Sequence, residues 1–91
     1  MYVPGDLLRV NIAWDFFPLW RTHSELVNNN YQDPRYYRLD KDVPIMVIAT
    51  IEREDDEPAY FVMVSWQGSP KFGWTYHGDI RDAGIIYFEK L

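Results

Sequence analysis

The chain contains no cysteine at any of its 91 positions. It therefore has no disulfide and no thiolate to act as a nucleophile or metal ligand, and its stability must come from apolar burial, with or without subunit contacts. The five glycines are scattered and form no phosphate-binding loop. The two histidines, His23 and His77, are too few for zinc, which takes about three or four protein ligands. We expect no metal and no cofactor.

Catalytic patterns are equally scarce. The run His77-Gly78-Asp79 places an imidazole beside a carboxylate, but catalysis also needs a nucleophile or an open metal position within a cleft. The flanking residues supply neither, so we interpret His77 as a turn histidine hydrogen-bonded to its surroundings. The chain is predicted not to be an enzyme. A small metal-dependent enzyme centred on His77 and Asp79 is the weakest of three functional hypotheses.

Long hydrophobic runs are also missing. The longest uncharged apolar run has about ten residues, whereas a membrane-spanning helix needs about 20. The first ten residues show no basic segment followed by an apolar one, as a signal peptide would. Together with the lack of cysteine, this predicts a cytoplasmic protein with no membrane contact.

Negative charge exceeds positive charge, with a formal net charge of −5. Acidic residues crowd one short run, which we interpret as a solvated hairpin tip rather than a calcium loop because it contains no glycine: Glu52, Glu54, Asp55, Asp56 and Glu57. A field of this sign repels phosphate backbones, so nucleic acid is an unlikely partner.

Aromatic residues make up 18% of the chain and apolar residues 47%. This composition is that of a folded globule whose core is rich in rings, and the length fits a single domain over residues 1–91.

Apolar and β-branched runs separated by turn residues predict an all-β fold. The predicted strands are residues 7–13, 43–51, 60–67, 72–76 and 83–90. The second of them is nearly continuous in apolar residues, which is typical of a strand buried on both faces, and Pro44 lies at its beginning. Val47 and Val64 are predicted to lie inside on neighbouring antiparallel strands.

Turn residues join these strands closely. Gly68-Ser69-Pro70 is predicted to form a tight turn and residues 77–80 a 3₁₀-like turn. Five short strands with such connections favour closure into a small barrel, which leaves few free edges.

The segment from 14 to 42 breaks the strand pattern. Pro18, Pro34 and three consecutive asparagines are typical of loops, and residues 24–27 fit one helical turn. Because the segment carries many aromatic residues, we expect a long ordered loop between strands one and two that folds over the barrel. Trp20 and Tyr36 should then be largely buried against the barrel or a neighbouring subunit. A mobile arm with exposed rings is the alternative.

The layout resembles SH3-like (Sm-like) small barrels, and more narrowly the short uncharacterised proteins common in tailed-phage genomes. The resemblance rests on the opening Pro4-Gly5-Asp6-Leu7, on the strand ending in Trp66-Gln67-Gly68, and on the closing Gly73-Trp74-Thr75. It implies a five-stranded barrel, and host cytoplasm if the chain is phage-encoded. The proline-binding motifs of peptide-binding SH3 domains are missing, so no binding residue is transferred from them.

The surplus of aromatic residues favours a function based on protein contact, either as a homo-oligomer or as an accessory module of a larger assembly. The candidate partner-binding residues are Trp20, Tyr36, Tyr37, Trp66, Trp74 and Tyr76. A structural role is open for two of them: Trp66 and Trp74, at opposite ends of a hairpin, are predicted to cover one end of the barrel.

Single-stranded nucleic-acid binding by an Sm-like or OB-like barrel is the alternative function. It would use Arg35, Arg38 and Lys41, which are interleaved with Tyr36 and Tyr37. Three aspartates interrupt this group at positions 33, 40 and 42, so surface ion pairs are the preferred interpretation.

Overall fold

Two antiparallel sheets build the protein. The computed structural model describes residues 2–27, 34–53, 56–76 and 88–91. Within them it has the elements β1 (Leu7–Val10), β2 (Trp14–Leu19), α1 (His23–Val27), β3 (Arg35–Leu39), β4 (Pro44–Arg53), β5 (Asp56–Trp66), β6 (Ser69–Tyr76) and β7 (Phe88–Lys90). One sheet has five strands in the order β6-β5-β4-β1-β7, and the other pairs β2 with β3. The all-β prediction is confirmed.

The long strands β4 and β5 form the centre of the larger sheet. Their antiparallel register places Val47 opposite Val62 and Ile45 opposite Val64, and all four side chains are fully buried. Because side chains alternate between the two faces of a strand, these residues share the inner face. The predicted interior positions of Val47 and Val64 are confirmed.

The main core lies between the two sheets. It consists of inward residues from five strands and is completed by the partly buried Tyr2, Trp14, Tyr37 and Val43. Its buried members are Leu8, Val10, Phe17, Leu19, Leu39, Ile45, Val47, Tyr60, Val62 and Val64. The β2–β3 sheet therefore acts as a second layer over the inner face of the larger sheet.

The long loop predicted for residues 14–42 is wrong, because that segment contains β2, α1 and β3. Pro18 lies inside β2, opposite Tyr36. The backbone N–H and C=O of Trp20 form hydrogen bonds with Trp74 on β6. Pro18 is two positions earlier, so its backbone nitrogen and C=O point to the same edge of β2, away from β3. The missing N–H of Pro18 therefore breaks no bond to β3, which is why this strand tolerates proline.

Helix α1 matches the helical turn predicted at residues 24–27. Thr22 begins it, because its hydroxyl accepts the N–H of Glu25 at 3.1 Å. Leu26 is buried with Trp20 and Ala59 in a second, smaller cluster. The expected burial of Trp20 is confirmed at 8% exposure, whereas Tyr36 is 57% exposed and is therefore not buried against the rest of the chain. Burial of Tyr36 against a neighbouring subunit stays a prediction.

The turn between β5 and β6 lies one residue earlier than predicted. Gln67 and Gly68 both have positive φ, at 49° and 78°, which is the backbone of a two-residue hairpin loop. Ser69 and Pro70 belong to β6, where they pair with Trp66 and Ser65.

Strand boundaries differ elsewhere as well. β1 ends at Val10 rather than at residue 13, because Val10 makes its last bonds to Val43 and Asp42 and the chain then bends towards β2. Of the last predicted strand, residues 88–90 form β7. The other part of that strand, the predicted turn at 77–80 and the residues at 54–55 lie outside the described residues.

The two sheets approach each other closely at Gly73. A Cβ atom at this position would lie 2.7 Å from Leu19 Cβ and 3.1 Å from the carbonyl oxygen of Trp20. Gly73→Ala should therefore push β2 away from β6 and cost about 1–3 kcal/mol of unfolding free energy. Denaturant unfolding measures the change, with Ser69→Ala on the exposed start of β6 as the control. Equal stability of both variants and the wild type would contradict this contact.

Asp6 connects the first turn to the last strand. Its carboxylate accepts the N–H of Val3 at 2.9 Å and lies 3.4 Å from Lys90 Nζ. The Val3 hydrogen bond is the larger cause that lowers the pKa of Asp6, with Lys90 adding to it. A lowered folded-state pKa stabilises the protein above the unfolded pKa, near 4, and this stability is lost as pH falls.

We expect the melting temperature of the wild type to fall more steeply between about pH 5 and pH 3 than that of Asp6→Asn, which has no carboxylate to protonate. Lys90→Gln, which removes only the ion pair, should give an intermediate slope. Parallel curves for the wild type and Asp6→Asn would show that Asp6 does not contribute.

Candidate protein-contact site

The outer face of the five-stranded sheet, opposite the core, is apolar. One cross-strand row runs through Leu7, Met46, Met63 and Phe72, each directly opposite the next. Leu7 is 37% exposed, Met46 40% and Phe72 53%. A sheet that faces solvent normally alternates apolar residues inside with polar residues outside. Four strands here break that rule at the same level.

A second set of apolar side chains borders this row. Phe61 stacks on Phe72 with ring centroids 6.2 Å apart and contacts Trp74 at 5.3 Å. Ile48, two residues after Met46 on β4, is 39% exposed. We call the combined surface the outer apolar face: Leu7, Met46, Ile48, Phe61, Met63, Phe72 and Trp74.

The prediction that β4 is buried on both faces is wrong in this chain. Ile45 and Val47 are fully buried, but Met46 and Ile48 between and beside them are exposed. The cause is architectural, because β2 and β3 cover only the inner face and the described residues place α1 over the far end of β5 and β6 alone. The outer face of β4 is therefore apolar, but no second layer of the described residues packs on it.

A cleft opens where the two sheets diverge. The sheets touch through the paired backbone bonds between Trp20 and Trp74, 2.7 and 2.9 Å long, and separate towards the start of β6. The resulting cleft of about 520 Å³ is lined by Leu19, Arg21, Glu25, Arg35, Tyr37, Pro70, Lys71 and Phe72. A neighbouring hollow shares three of these residues and adds Tyr36 and Trp66.

The cleft is positively charged although the chain is acidic. Arg21 is neutralised by Glu25, whose Oε1 lies 2.7 Å away. Within the described part of the chain, Arg35 and Lys71 have no carboxylate partner. Lys71 Nζ lies 5.7 Å from the Trp66 ring, a cation–π distance. We call this region the cationic cleft.

The six predicted partner-binding residues fall into two separate groups. Trp20, Trp74 and Tyr76 belong to the cluster under α1, and Tyr76 donates a hydrogen bond to the carbonyl of Leu26 at 3.3 Å. The other three border the cationic cleft: Tyr36, Tyr37 and Trp66. Tyr37 and Trp66 meet edge to face at 5.4 Å.

The two hairpin tryptophans do not cover one end together. Trp66 lies on the inner face of β5 with Val62 and Val64, whereas Trp74 lies opposite Phe61 on the outer face. The shared capping role predicted for them is wrong. Trp74 pairs with Phe61, and Phe61 and Trp66 are an odd number of positions apart on β5, so their side chains lie on opposite faces.

The basic group predicted for nucleic acid is not assembled as a unit. Arg38 lies 2.6 Å from Asp15 and 3.1 Å from Asp40, and the hydrogen bond that its Nε donates to Asp40 is the largest cause that raises the pKa of its guanidinium. Arg35 lines the cleft, and Lys41 lies in the exposed turn after β3. The predicted ion pairs are therefore present at Arg38.

Sequence reasoning missed Leu7, Met46, Met63, Phe72 and Lys71. Period two would have found the last three, since Met63 and Phe72 fall on the face opposite the buried valines of β5, and Lys71 falls on the face of Gly73. The pairing of Leu7 with Met46 is a register between distant segments, and no local pattern reveals it.

Among the residues that the structure describes, no three His, Cys, Asp or Glu side chains come together as a metal site would require. His77 and Asp79 lie outside those residues. Across the same ranges, no helix has the length and apolar character to cross a bilayer. Comparison of the chain with family models, curated protein sequences and solved structures finds no match.

Proposed function

We propose that this protein is a non-enzymatic, SH3-like small barrel that acts by protein contact through the outer apolar face. The strand order β6-β5-β4-β1-β7 and the β2–β3 hairpin between the first and second strands of that sheet support the barrel. The Trp20–Trp74 bonds join the hairpin to the free edge of β6, so the two sheets curve around one core.

A single observation carries the proposed contact: β4 and its neighbours are apolar on both faces, and the residues that the structure describes cover one of these faces only. Leu7, Met46, Ile48 and Phe72 on this face are 37–53% exposed, and a contiguous apolar patch on a monomer is often functional. Each partner of a standard interface buries ~800 Å². A contact of that size would include the outer apolar face and its polar rim.

Self-association is the form of contact that this face favours. The row from Leu7 to Phe72 carries no charge, so a second copy can meet it across a two-fold axis without opposing like charges. Two sheet faces pack about 10 Å apart with interdigitating side chains. Methionine at two of the four positions suits such packing, since its flexible side chain fills irregular gaps.

The nucleic-acid alternative has less support. Binding a single strand requires a basic groove that follows several phosphates, with aromatic rings between them. Arg38 is neutralised by two aspartates, and in the described cleft only Arg35 and Lys71 lack a carboxylate partner. Two such cations in a chain of net charge −5 favour a short anionic ligand instead.

We propose a cytoplasmic location and an origin in a phage assembly from the sequence alone. The first rests on the lack of cysteine and the second on the strand-and-turn pattern that resembles small phage proteins. A contact module of this size is compatible with either setting.

Sedimentation equilibrium over a wide concentration range tests the contact. We expect a dimer whose dissociation constant rises at least about tenfold in Met46→Lys, because a buried lysine would lack a partner in the centre of the face. Ile12→Lys is the matched control: Ile12 is 49% exposed but lies in the bend between β1 and β2. It should dimerise as the wild type does.

A wild-type protein that is monomeric at all concentrations would contradict self-association. In that case, a heterologous protein partner whose capture is abolished by Met46→Lys and not by Ile12→Lys would retain the outer apolar face as the contact. If Met46→Lys weakened neither self-association nor the capture of a protein partner, the result would contradict the outer apolar face as the contact surface.

A further inference from the structure

The free edge of β6 borders the cationic cleft. Trp74 directs its N–H and C=O to Trp20 on β2. In an antiparallel sheet, residues two apart direct their backbone groups to the same edge, so those of Phe72 point into the cleft. Chain β2 ends at Leu19 and turns into α1, and among the described residues no backbone group of β2 or α1 bonds Phe72. The backbone hydrogen bonds between β2 and β6 therefore stop at Trp74, and the N–H and C=O of Phe72 have no strand of the described residues beside them.

Pro70 limits this open edge. It pairs with Ser65 on β5, and its ring nitrogen points to the same edge as the N–H of Phe72. The edge therefore offers the N–H and C=O of Phe72 and the C=O of Pro70, enough for a short strand but not for a long one. Such a short, proline-limited edge is safe against open-ended aggregation and can accept a specific segment.

The two faces of this edge differ in chemistry. Lys71 shares the inner face with Gly73 and lines the cleft opposite Arg35. Phe72 belongs to the outer apolar face. A strand added to β6 would direct alternate side chains to these two faces. One set would meet Arg35 and Lys71, and the other would continue the apolar row beside Phe72.

We propose that the cationic cleft binds an extended peptide segment of alternating acidic and apolar residues, which adds to the edge of β6 as an antiparallel strand. Its carboxylates pair with Arg35 and Lys71, and its backbone bonds Phe72. The antiparallel direction follows from the orientation of β2, whose place beside β6 the segment takes over beyond Trp20. This site shares Phe72 with the outer apolar face, but the proposal does not depend on the self-association proposed above.

Charge complementarity favours this ligand over the others. The open edge requires a partner with its own backbone donors and acceptors, which a peptide has and a nucleic acid has not. The two cations without carboxylate partners match one or two carboxylates. A basic or neutral segment would leave both cations unpaired on binding.

Fluorescence anisotropy with a fluorescein-labelled Val-Glu-Val-Glu-Val-Glu-Val peptide tests the proposal. We expect saturable binding that weakens about three- to tenfold in Arg35→Gln and in Lys71→Gln, and more in the double variant. Lys41→Gln removes an exposed lysine outside the cleft and should bind as the wild type does. The same peptide with lysine in place of glutamate should bind far more weakly.

Backbone methylation of the peptide tests the ladder. In antiparallel addition the valine residues share the face of Phe72 and direct their N–H groups to β6. Methylation of the valine nitrogens should therefore abolish binding, and methylation of the glutamate nitrogens should not. Equal effects of both, or loss with the glutamate set alone, would overturn antiparallel addition.

Three results would overturn the site itself. They are equal binding of the acidic and basic peptides, unchanged affinity in the Arg35→Gln and Lys71→Gln double variant, and binding of an oligothymidine in place of the acidic peptide with the same dependence on both cations. The assay repeated in Met46→Lys separates this outcome from self-association, because Met46 lies outside the cleft. Peptide binding that persists there supports two independent sites.

Discussion

The rest of the structure depends on the close contact between β2 and β6. There the backbone of Trp20 bonds that of Trp74, and Gly73 brings the strands so near that no Cβ atom fits between them. This contact places the β2–β3 sheet over the inner face of the larger sheet, so that Phe17 and Leu19 enter the main core. Without it, the buried valines of β4 and β5 would face water, and hydrophobic burial is the main favourable term in folding.

The same contact creates both candidate surfaces. Because β2 covers the inner face, no second layer formed by the described residues covers the outer face of the larger sheet beyond the area under α1. Because β2 leaves β6 at Trp20, no described strand lies beside the edge of β6 around Phe72, and the cleft opens there. The contact between β2 and β6 therefore closes the core and also leaves these two surfaces open. Phe72 belongs to both surfaces, since its side chain faces outward and its backbone faces the cleft.

The sequence predicted those parts of the fold that follow from local patterns. The strands β4, β5 and β6 lie close to the predicted segments because their apolar runs are long and end at turn residues. The sequence pattern predicts a loop where the structure has the strands β2 and β3. Their signal is weak, because Pro18 is acceptable only where its nitrogen points away from β3, and that direction depends on the distant partner Trp74. Tertiary context decided these strands, and no short window of sequence contains it.

Ring count predicted six candidate residues, and the structure places three of them, Trp20, Trp74 and Tyr76, around α1. Trp74 also belongs to the outer apolar face through its contact with Phe61. The more informative signal was the continuous apolar sequence of β4, which predicted burial on both faces. One face is covered by the chain itself, and Met46 and Ile48 on the other are exposed. A strand whose composition suits burial on both faces, but which has one covering layer among the described residues, leaves an apolar face open. The proposed protein contact rests on this observation.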